Sequence, residues 1–272
     1  MATTLSLDRG HYLGKVVDLC YCDGIIAGAT QYPEEGHTSQ PHYHDNMHIS
    51  FVLRGGSVEK RGQGQQYERL PGDIMFYHAG EIHQNIQKVF PSKNINLEIE
   101  NDFLLKNGNT EAAIGSVLTE NPDGKFLLLK VYNELSENDH FSASSISMLF
   151  LDMVNRSAKK HQTKPLPSWV RIIHELLNDQ STGKLGLTDL SKAAGVHPIT
   201  ISKHFHKYYG CTLGEYMRKL KIEKALTLIK AGTIPLTEIA YACDFSDQSH
   251  FTRVFKQQTG FLPKRYQQLQ GC

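Results

Sequence analysis

The chain has 272 residues, of which 40% are hydrophobic and 21% are charged, a composition that excludes an intrinsically disordered protein and gives room for two domains. No apolar run approaches the ~20 residues of a membrane-spanning helix, which excludes a protein built on such helices. The net charge of +1 is unevenly divided, because residues 165–272 carry 14 Lys and Arg against 8 Asp and Glu, while residues 1–164 carry 15 against 20. The basic C-terminal part favours contact with a polyanion, although an ordinary solvated surface gives the same excess.

The five cysteines and the N-terminal residues indicate the compartment. The cysteines are odd in number and show neither the paired spacing of a zinc site nor a disulfide framework. Residues 1–10 lack the basic and then apolar pattern of a secretion signal. We therefore expect reduced thiols in a cytoplasmic protein.

Residues 1–102 are predicted to form short β-strands. Apolar runs such as residues 48–53 and 73–77 are bounded by glycine or by a Pro-Gly pair. Many short strands with turns at this spacing are typical of an all-β sandwich or barrel.

After the strands the pattern changes to a helical one. Apolar residues recur at helical spacing in residues 126–135 and 146–154. We expect residues 103–157 to form a helical segment that either makes a dimer contact or packs against the barrel. Residues 158–167 are polar, basic and contain two prolines, which predicts a linker between domains.

Residues 168–272 are predicted to form an all-helical domain with an internal repeat. Leu190 and Phe205 recur as Ile239 and Phe255, at offsets of 49 and 50 residues. Each copy has a short helix with small residues, a tight turn, and a second helix with buried residues at positions i and i+4, which is the pattern of a helix-turn-helix. The alternative is a plain helical domain with coincidental spacing, and two linked copies with matched aromatic residues disfavour it.

The second helix of each copy exposes residues that suit DNA. Arg suits guanine, Gln suits adenine, Ser and Thr suit either base, and apolar atoms suit the thymine methyl group, whereas Lys suits phosphates. A long helix predicted over residues 213–231 joins the copies and would place them about one DNA turn apart, ~34 Å. The predicted DNA-binding residues are Ile199, Thr200, Ser202, Lys203, Lys207, Gln248, Ser249, Thr252, Arg253 and Lys256.

The second copy also carries a long ordered motif. Residues 245–251 read Phe-Ser-Asp-Gln-Ser-His-Phe, residues 253–256 read Arg-Val-Phe-Lys, and residues 260–266 read Gly-Phe-Leu-Pro-Lys-Arg-Tyr. Together with Ile239-Ala240 they resemble the DNA-binding domain of the AraC/XylS family of bacterial transcription regulators, and the resemblance spans roughly residues 169–266. It implies a sequence-specific regulator of promoter DNA, an activator rather than a repressor, and contact with RNA polymerase.

Three residues depart from the family pattern. Asp244 stands in place of the turn glycine, Cys243 in place of an aliphatic residue, and His197 in place of a small capping residue. The first copy matches the family pattern at fewer positions than the second. None of the departures removes the exposed DNA-binding face.

The N-terminal part contains histidines and glycines at regular spacing. They read G-x5-H-x-H-x3-H-x6-G from Gly36 to Gly55, and then G-x5-H-x-G-x2-H from Gly72. This spacing resembles the two motifs of the cupin barrel, which implies a cupin-like β-barrel (jelly roll) for residues 1–102. The resemblance places four residues around one ion or one effector: His42, His44, His48 and His83. His48 stands where metal-binding cupins usually have glutamate.

The chemistry of the four histidines leaves three roles open. Imidazole suits Zn, Cu, Fe or Ni, and a set without carboxylate disfavours Mg and Ca. The second role is to line a pocket for a small organic effector, which is common in regulatory cupin-like domains. The third is to sense protons, since imidazoles titrate near neutral pH. The sequence therefore assigns no definite cofactor, and a transition metal and a small organic effector both fit.

We interpret the chain as a two-domain protein, β and then all-α. Residues 1–102 are the effector-binding barrel, 103–157 the helical dimerisation or packing segment, 158–167 the linker, and 168–272 the DNA-binding domain with two helix-turn-helix motifs. The predicted function is a homodimeric DNA-binding regulator controlled by a small ligand, with no catalytic residues and no membrane partner. The alternatives are a metal-dependent cupin enzyme carrying a DNA-binding tail, and an adaptor whose barrel binds another protein.

Overall fold

The computed structural model describes residues 4–32, 38–62, 64–120, 123–158, 167–179 and 185–271. The chain divides into two compact units, Met1–Val154 and Asn155–Cys272. Residues 159–166, most of the predicted linker, lie outside the described residues, as does Gly36 of the first histidine motif. Within the described residues, no helix has both the length and the apolar character to span a membrane.

The described strands of the first unit form one curled sheet. Its strands are β1 (Leu5–Leu7), β2 (Lys15–Cys22), β3 (Ile25–Tyr32), β4 (His42–His44), β5 (Met47–Arg61), β6 (Gln65–Arg69), β7 (Ile74–Tyr77) and β8 (His83–Ile99). The order β1-β4-β8-β3-β2 is extended by β5, which pairs with β6, β7 and β8. β8 thus bonds to three strands, β3, β4 and β5, and the sheet curls around it. Only β1 and β4, among the described pairs, run parallel.

Side chains of β5 and β8 alternate between two faces, because successive residues of a strand point to opposite sides. One face carries polar residues that enclose a pocket, and the other carries apolar residues that form the core. The polar pairs are His48 with Glu98 and Ser50 with Asn96, and the apolar pairs are Ile49 with Leu97 and Phe51 with Ile95. The alternation gives the curled sheet a polar interior.

Helices follow the strands in the described part of the chain: α1 (Asn101–Lys106), α2 (Glu111–Glu120), α3 (Asp123–Glu137) and α4 (Ser142–Ala158), the last of which begins in the first unit. Helix α3 packs against β2 and β3, and α2 packs against β7. Seven of the buried residues of α3 are large and apolar, so this helix is covered on most of its circumference. Helix α4 buries Ile146 and Phe150 but leaves Met148 exposed.

The second unit contains the two predicted helix-turn-helix motifs. Its helices are α5 (Ser168–Asn178), α6 (Leu187–Ala194), α7 (Pro198–Tyr209), α8 (Leu213–Ala231), α9 (Leu236–Ala242), α10 (Gln248–Thr259) and α11 (Pro263–Gln270). The first motif is α6 and α7, the second is α9 and α10, and α8 joins them. Phe205 of α7 and Phe255 of α10 are both fully buried, as the repeat predicts.

Local backbone chemistry explains how the departures from the family pattern are accommodated. The turn of the first motif places Gly195 at a φ of 64°, and the second turn places Asp244 at 58°. Asp enters this left-handed region more readily than most residues, so the same turn forms without glycine. His197 caps α7, since its Nδ1 accepts a hydrogen bond from the backbone N–H of Ile199. Asp247 caps α10 in a similar way, since its carboxylate accepts a hydrogen bond from the backbone N–H of His250.

Candidate functional site

A polar pocket lies inside the curled sheet of the first unit. Its wall includes His42, His44, His48 and His83, so the structure brings together all four histidines of the predicted site. Each of them is at most 4% exposed. We call this the histidine pocket. Ser50, Arg69, Tyr77, Asn94 and Asn96 also line it.

Three strands position the histidines. His42 and His44 are two residues apart on β4 and therefore point to the same side. His83 begins β8 and is paired with His42 across the ladder. The ring centroids of His42 and His83 are 4.2 Å apart, and those of His44 and His48 are also 4.2 Å apart. Strand alternation and one long-range pairing therefore build the cluster.

Three of the four histidines meet closely enough to share an ion. One ring nitrogen from each of His42, His44 and His83 lies within 4.8 Å of the other two. His48 lines the pocket but is not a member of this group. We refer to His42, His44 and His83 as the three-histidine group.

Outer hydrogen bonds fix which nitrogen of each ring is available. Nδ1 of His42 lies 2.8 Å from the carbonyl oxygen of Gln40, and Nδ1 of His83 lies 3.0 Å from that of Glu81. A carbonyl oxygen only accepts, so Nδ1 carries the hydrogen and donates it, and Nε2 keeps its lone pair. Metal-binding histidines show this arrangement, with the second ring nitrogen donating to a carbonyl or a carboxylate.

His44 faces a buried carboxylate that the sequence analysis missed. Nδ1 of His44 lies 3.9 Å from Oε1 of Glu98, a residue of β8 that is 1% exposed. Burial raises the pKa of Glu98 from its ordinary value, and hydrogen bonds from Tyr12 and from the backbone N–H of Gly10 act in the opposite direction. The separation between His44 and Glu98 is too long for a hydrogen bond, so Glu98 does not fix the tautomer of His44 as the carbonyl oxygens fix those of His42 and His83.

His48 is oriented by a separate chain of hydrogen bonds. Nδ2 of Asn96 donates to Oγ1 of Thr30 at 3.0 Å, so the amide oxygen of Asn96 faces His48. Nε2 of His48 lies 3.3 Å from that oxygen and therefore carries the hydrogen that it donates. Nε2 of His48 is therefore occupied by its hydrogen bond to Asn96. In His42 and His83 it is Nδ1 that donates, and Nε2 stays available.

Burial keeps the pocket imidazoles neutral. Burial first, and neighbouring imidazoles second, lower the pKa of His44 to about 3 and that of His83 to about 2. Burial also lowers the pKa values of His42 and His48. A neutral imidazole has the free lone pair that a metal ion needs. These low values disfavour the predicted role as a proton sensor near neutral pH.

An ionic network centred on the fully buried carboxylate of Glu59 supports one wall of the pocket. The carboxylate of Glu59 accepts hydrogen bonds from Nε of Arg61 and from the hydroxyl of Tyr77, the latter at 2.6 Å. Nη1 of Arg69 lies 3.4 Å from the same carboxylate. The ring of Tyr77 stacks on His83 with centroids 4.1 Å apart. The network therefore fixes the aromatic ring against which His83 packs.

The pocket is small, and several polar atoms of its wall have no hydrogen-bond partner within the described residues. Its cavity volume of about 20 Å³, measured for the centre of a water molecule, compares with about 10–15 Å³ for one bound water. It has room for one or two occupants of the size of a water molecule, such as an ion with one water. Within the described residues, several buried polar atoms of its wall have no hydrogen-bond partner: Nδ1 of His44, Nδ1 of His48, Oγ of Ser50, Nε of Arg69 and Oδ1 of Asn94. Such atoms favour a polar occupant.

The second unit presents the predicted DNA-binding residues on one accessible face of each motif. We call α7 and α10 the reading helices, and neither contains Asp or Glu. Their opposite faces are buried through residues such as Ile201 and Phe251. Thr200 and Thr252 are partly exposed, and the other predicted residues are exposed, namely Ile199, Ser202, Lys203, Lys207, Gln248, Ser249, Arg253 and Lys256.

Comparisons with known proteins cover both units. Residues 24–152 match the model of an AraC-like ligand binding domain, and residues 190–269 match that of a helix-turn-helix domain. Curated relatives include the HTH-type transcriptional activator RhaR of Escherichia coli O139:H28 and of Shigella flexneri. Each is 22% identical to this chain over 263 residues, covering 90% of this chain and 92% of the relative.

Solved structures show more distant likenesses. A crystal structure of apo ToxT from Vibrio cholerae is 14% identical with a TM-score of 0.35, and covers 90% of this chain and 97% of that one. A cupin superfamily protein from Desulfitobacterium hafniense is 16% identical with a TM-score of 0.29, and covers 32% of this chain and 76% of that one.

The fold and the family matches define a DNA-binding transcription regulator with an N-terminal ligand-binding domain. The chain belongs to the AraC/XylS family. The predicted fold class, a cupin-like β domain followed by helices with two helix-turn-helix motifs, is confirmed.

The buried network gives a stability prediction. Replacing Glu59 by Gln removes the charge that compensates two guanidinium groups, and we expect the free energy of unfolding to fall by about 3–5 kcal/mol. Glu81→Gln is the matched control, because Glu81 also binds Arg61, at 3.0 Å, but is partly exposed. We expect this change to cost less than about 1 kcal/mol. Urea unfolding of both variants measures the difference, and equal small losses would contradict the role of Glu59.

Proposed function

We propose that this chain is a metal-responsive transcription activator, in which the three-histidine group binds one divalent transition-metal ion. The observation that carries the proposal is the group itself, His42, His44 and His83, buried together with ring nitrogens within 4.8 Å of each other. Gln40 and Glu81 orient two of the rings through their carbonyl oxygens, so that each Nε2 keeps its lone pair.

The size and chemistry of the pocket support an ion rather than an organic effector. Pockets for organic ligands are lined mostly by apolar side chains. The histidine pocket has a polar wall, and its interior has room for only one or two water-sized occupants. Neutral imidazoles favour Zn, Fe, Ni or Cu over Mg or Ca. Three of them satisfy part of the coordination of such an ion and leave a position for water.

The second unit binds DNA in this proposal. In this proposal the reading helices α7 and α10 enter successive major grooves on one face of the duplex. Arg253, Gln248 and the hydroxyl residues contact base edges, while Lys207 and Lys256 contact phosphates. Activation is proposed because the relatives RhaR are named as activators, and an activator implies contact with RNA polymerase. Such a regulator acts in the cytoplasm, where promoter DNA lies.

The helical segment of the first unit supports a homodimer. Phe141, just before α4, is 73% exposed and Met148 on α4 is 71% exposed, and the two are seven residues apart. Large apolar side chains that are exposed so near to each other favour contact with a second copy. We propose no catalytic role for the histidine pocket, since the relatives that cover most of this chain are named as regulators.

Metal content tests the proposed ligand. Protein purified without chelator is expected to contain about one Zn, Fe, Ni or Cu per chain by elemental mass spectrometry. His42→Ala removes one of the three imidazoles and is expected to weaken Zn²⁺ binding in calorimetry by at least about 100-fold, more than the loss of an outer hydrogen bond. His78→Ala is the matched control, because His78 lies outside the three-histidine group and its side chain is 56% exposed.

The opposite result has a clear meaning. Wild-type protein that binds no ion even after reconstitution would contradict the metal assignment. The histidines would then line a pocket for a small organic effector.

Two substitutions test the proposed DNA contacts. Arg253→Ala is expected to cost about 1–3 kcal/mol of binding free energy on the preferred duplex and to relax the preference at one base pair. Lys256→Ala, on the same helix, is expected to weaken binding to all duplexes alike and to reduce the salt dependence by about one phosphate contact. Fluorescence anisotropy at several salt concentrations measures both. Unchanged affinity and specificity in Arg253→Ala would contradict its role.

A further inference from the structure

A side-chain hydrogen bond links the two helices of the second motif on their exposed side. Oγ1 of Thr237, in the first turn of α9, donates to Oε1 of Gln248, the first residue of α10, at 2.9 Å. Both residues are exposed. The bond therefore lies at the surface where the second reading helix begins, and it does not belong to the buried core of the motif.

The bond holds the amide of Gln248 at a fixed place beside α9. A glutamine amide offers an oxygen that accepts and an NH₂ group that donates. In the structure the hydroxyl of Thr237 donates to Oε1 and so anchors the end of the Gln248 side chain. The NH₂ group and the second lone pair of Oε1 stay available. These are the groups that pair with N7 and the amino group of adenine in the major groove.

The backbone on either side of Gln248 is already anchored. The carboxylate of Asp247 accepts a hydrogen bond from the backbone N–H of His250 at 2.7 Å and caps α10. The carbonyl oxygen of Asp244 in the turn accepts one from Nζ of Lys221 at 2.7 Å, which ties the turn to α8. The main freedom left to Gln248 is the rotation of its side chain, and Thr237 restricts that rotation.

The first motif shows that the fold itself does not require this bond. Thr188 occupies the place of Thr237, at the repeat offset of 49 residues, and Pro198 occupies the place of Gln248, at the offset of 50. Proline has no amide side chain, and the structure records no side-chain hydrogen bond of Thr188 to any described residue. The turn and both helices of the first motif form nonetheless. The contact is thus specific to the second reading helix.

We infer that Thr237 is a positioning residue, which supports the base preference of the second reading helix by anchoring the Gln248 amide at a fixed place. The inference rests on the proposed role of Gln248 as a residue that contacts a base. The chemical partner is an adenine in duplex DNA, whose major-groove edge offers one acceptor and one donor in a fixed order.

The test uses the full chain and a pool of random duplex DNA. Selection with the wild-type protein defines a preferred duplex, and Kd is then measured for that duplex and for each single-base variant of it. Thr237→Val keeps the shape of the side chain and removes the hydroxyl. We expect it to weaken binding to the preferred duplex about 2- to 10-fold and to flatten the preference at one base pair. Binding to an unrelated duplex is expected to stay unchanged, because phosphate contacts supply it.

Two variants separate positioning from a structural effect. Thr237→Ser keeps the hydroxyl and is expected to retain the wild-type preference. Thr188→Val makes the matched change in the first motif and is expected to leave the preference unaltered. A loss of affinity for every duplex in Thr237→Val, together with a lower unfolding temperature, would overturn the inference.

A double-mutant cycle gives the sharpest result. In the Gln248→Ala protein the hydroxyl has no amide to hold, so adding Thr237→Val is expected to have no further effect. If Gln248→Ala alters the base preference and Thr237→Val does not, the positioning role is overturned and Gln248 keeps its proposed role. If Gln248→Ala itself leaves the preference unchanged, the proposed base contact fails and the positioning role fails with it.

Discussion

The hydrogen bonds from Nδ1 of His42 and His83 to the carbonyl oxygens of Gln40 and Glu81 decide how the histidine pocket can act. They place the hydrogen of each ring on Nδ1, so Nε2 has a lone pair free to bind a metal ion. Burial then keeps the rings neutral, with the pKa of His83 lowered to about 2. The pocket can therefore gather uncharged nitrogen ligands without the repulsion that three imidazolium ions would cause.

Strand geometry connects this chemistry to the fold. Alternation along β5 and β8 places polar residues inside the curled sheet and apolar residues in the core, so the pocket and the core are built from the same strands. Glu59 compensates the guanidinium groups of Arg61 and Arg69 beside the pocket, and Tyr77 joins that network to the ring of His83. The arrangement of the three-histidine group thus depends on residues that do not belong to it.

The sequence predicts some features of the fold and the site well, because their causes are local. The repeat and its buried aromatic residues predicted both helix-turn-helix motifs, and the two-residue spacing predicted that His42 and His44 face the same side. Glu59 could not be found in this way. The pairing of β5 with β8 shifts register between Val52 and Ser57, so the alternation that starts at His48 does not continue to Glu59. The separate role of His48 depends on Asn96, 48 residues away, and on the orientation of its amide.

The most direct measurement is the affinity of the full chain for its selected duplex with and without bound metal, in the wild type and in His42→Ala. We expect loading with Zn²⁺ to change the wild-type Kd by about 5- to 150-fold, the usual range for coupled sites, and DNA to change the affinity for Zn²⁺ by the same factor. His42→Ala is expected to bind the duplex with one affinity, whether or not Zn²⁺ is present. An identical Kd for metal-free and metal-loaded wild-type protein would contradict the claim that the ion in the histidine pocket controls DNA binding.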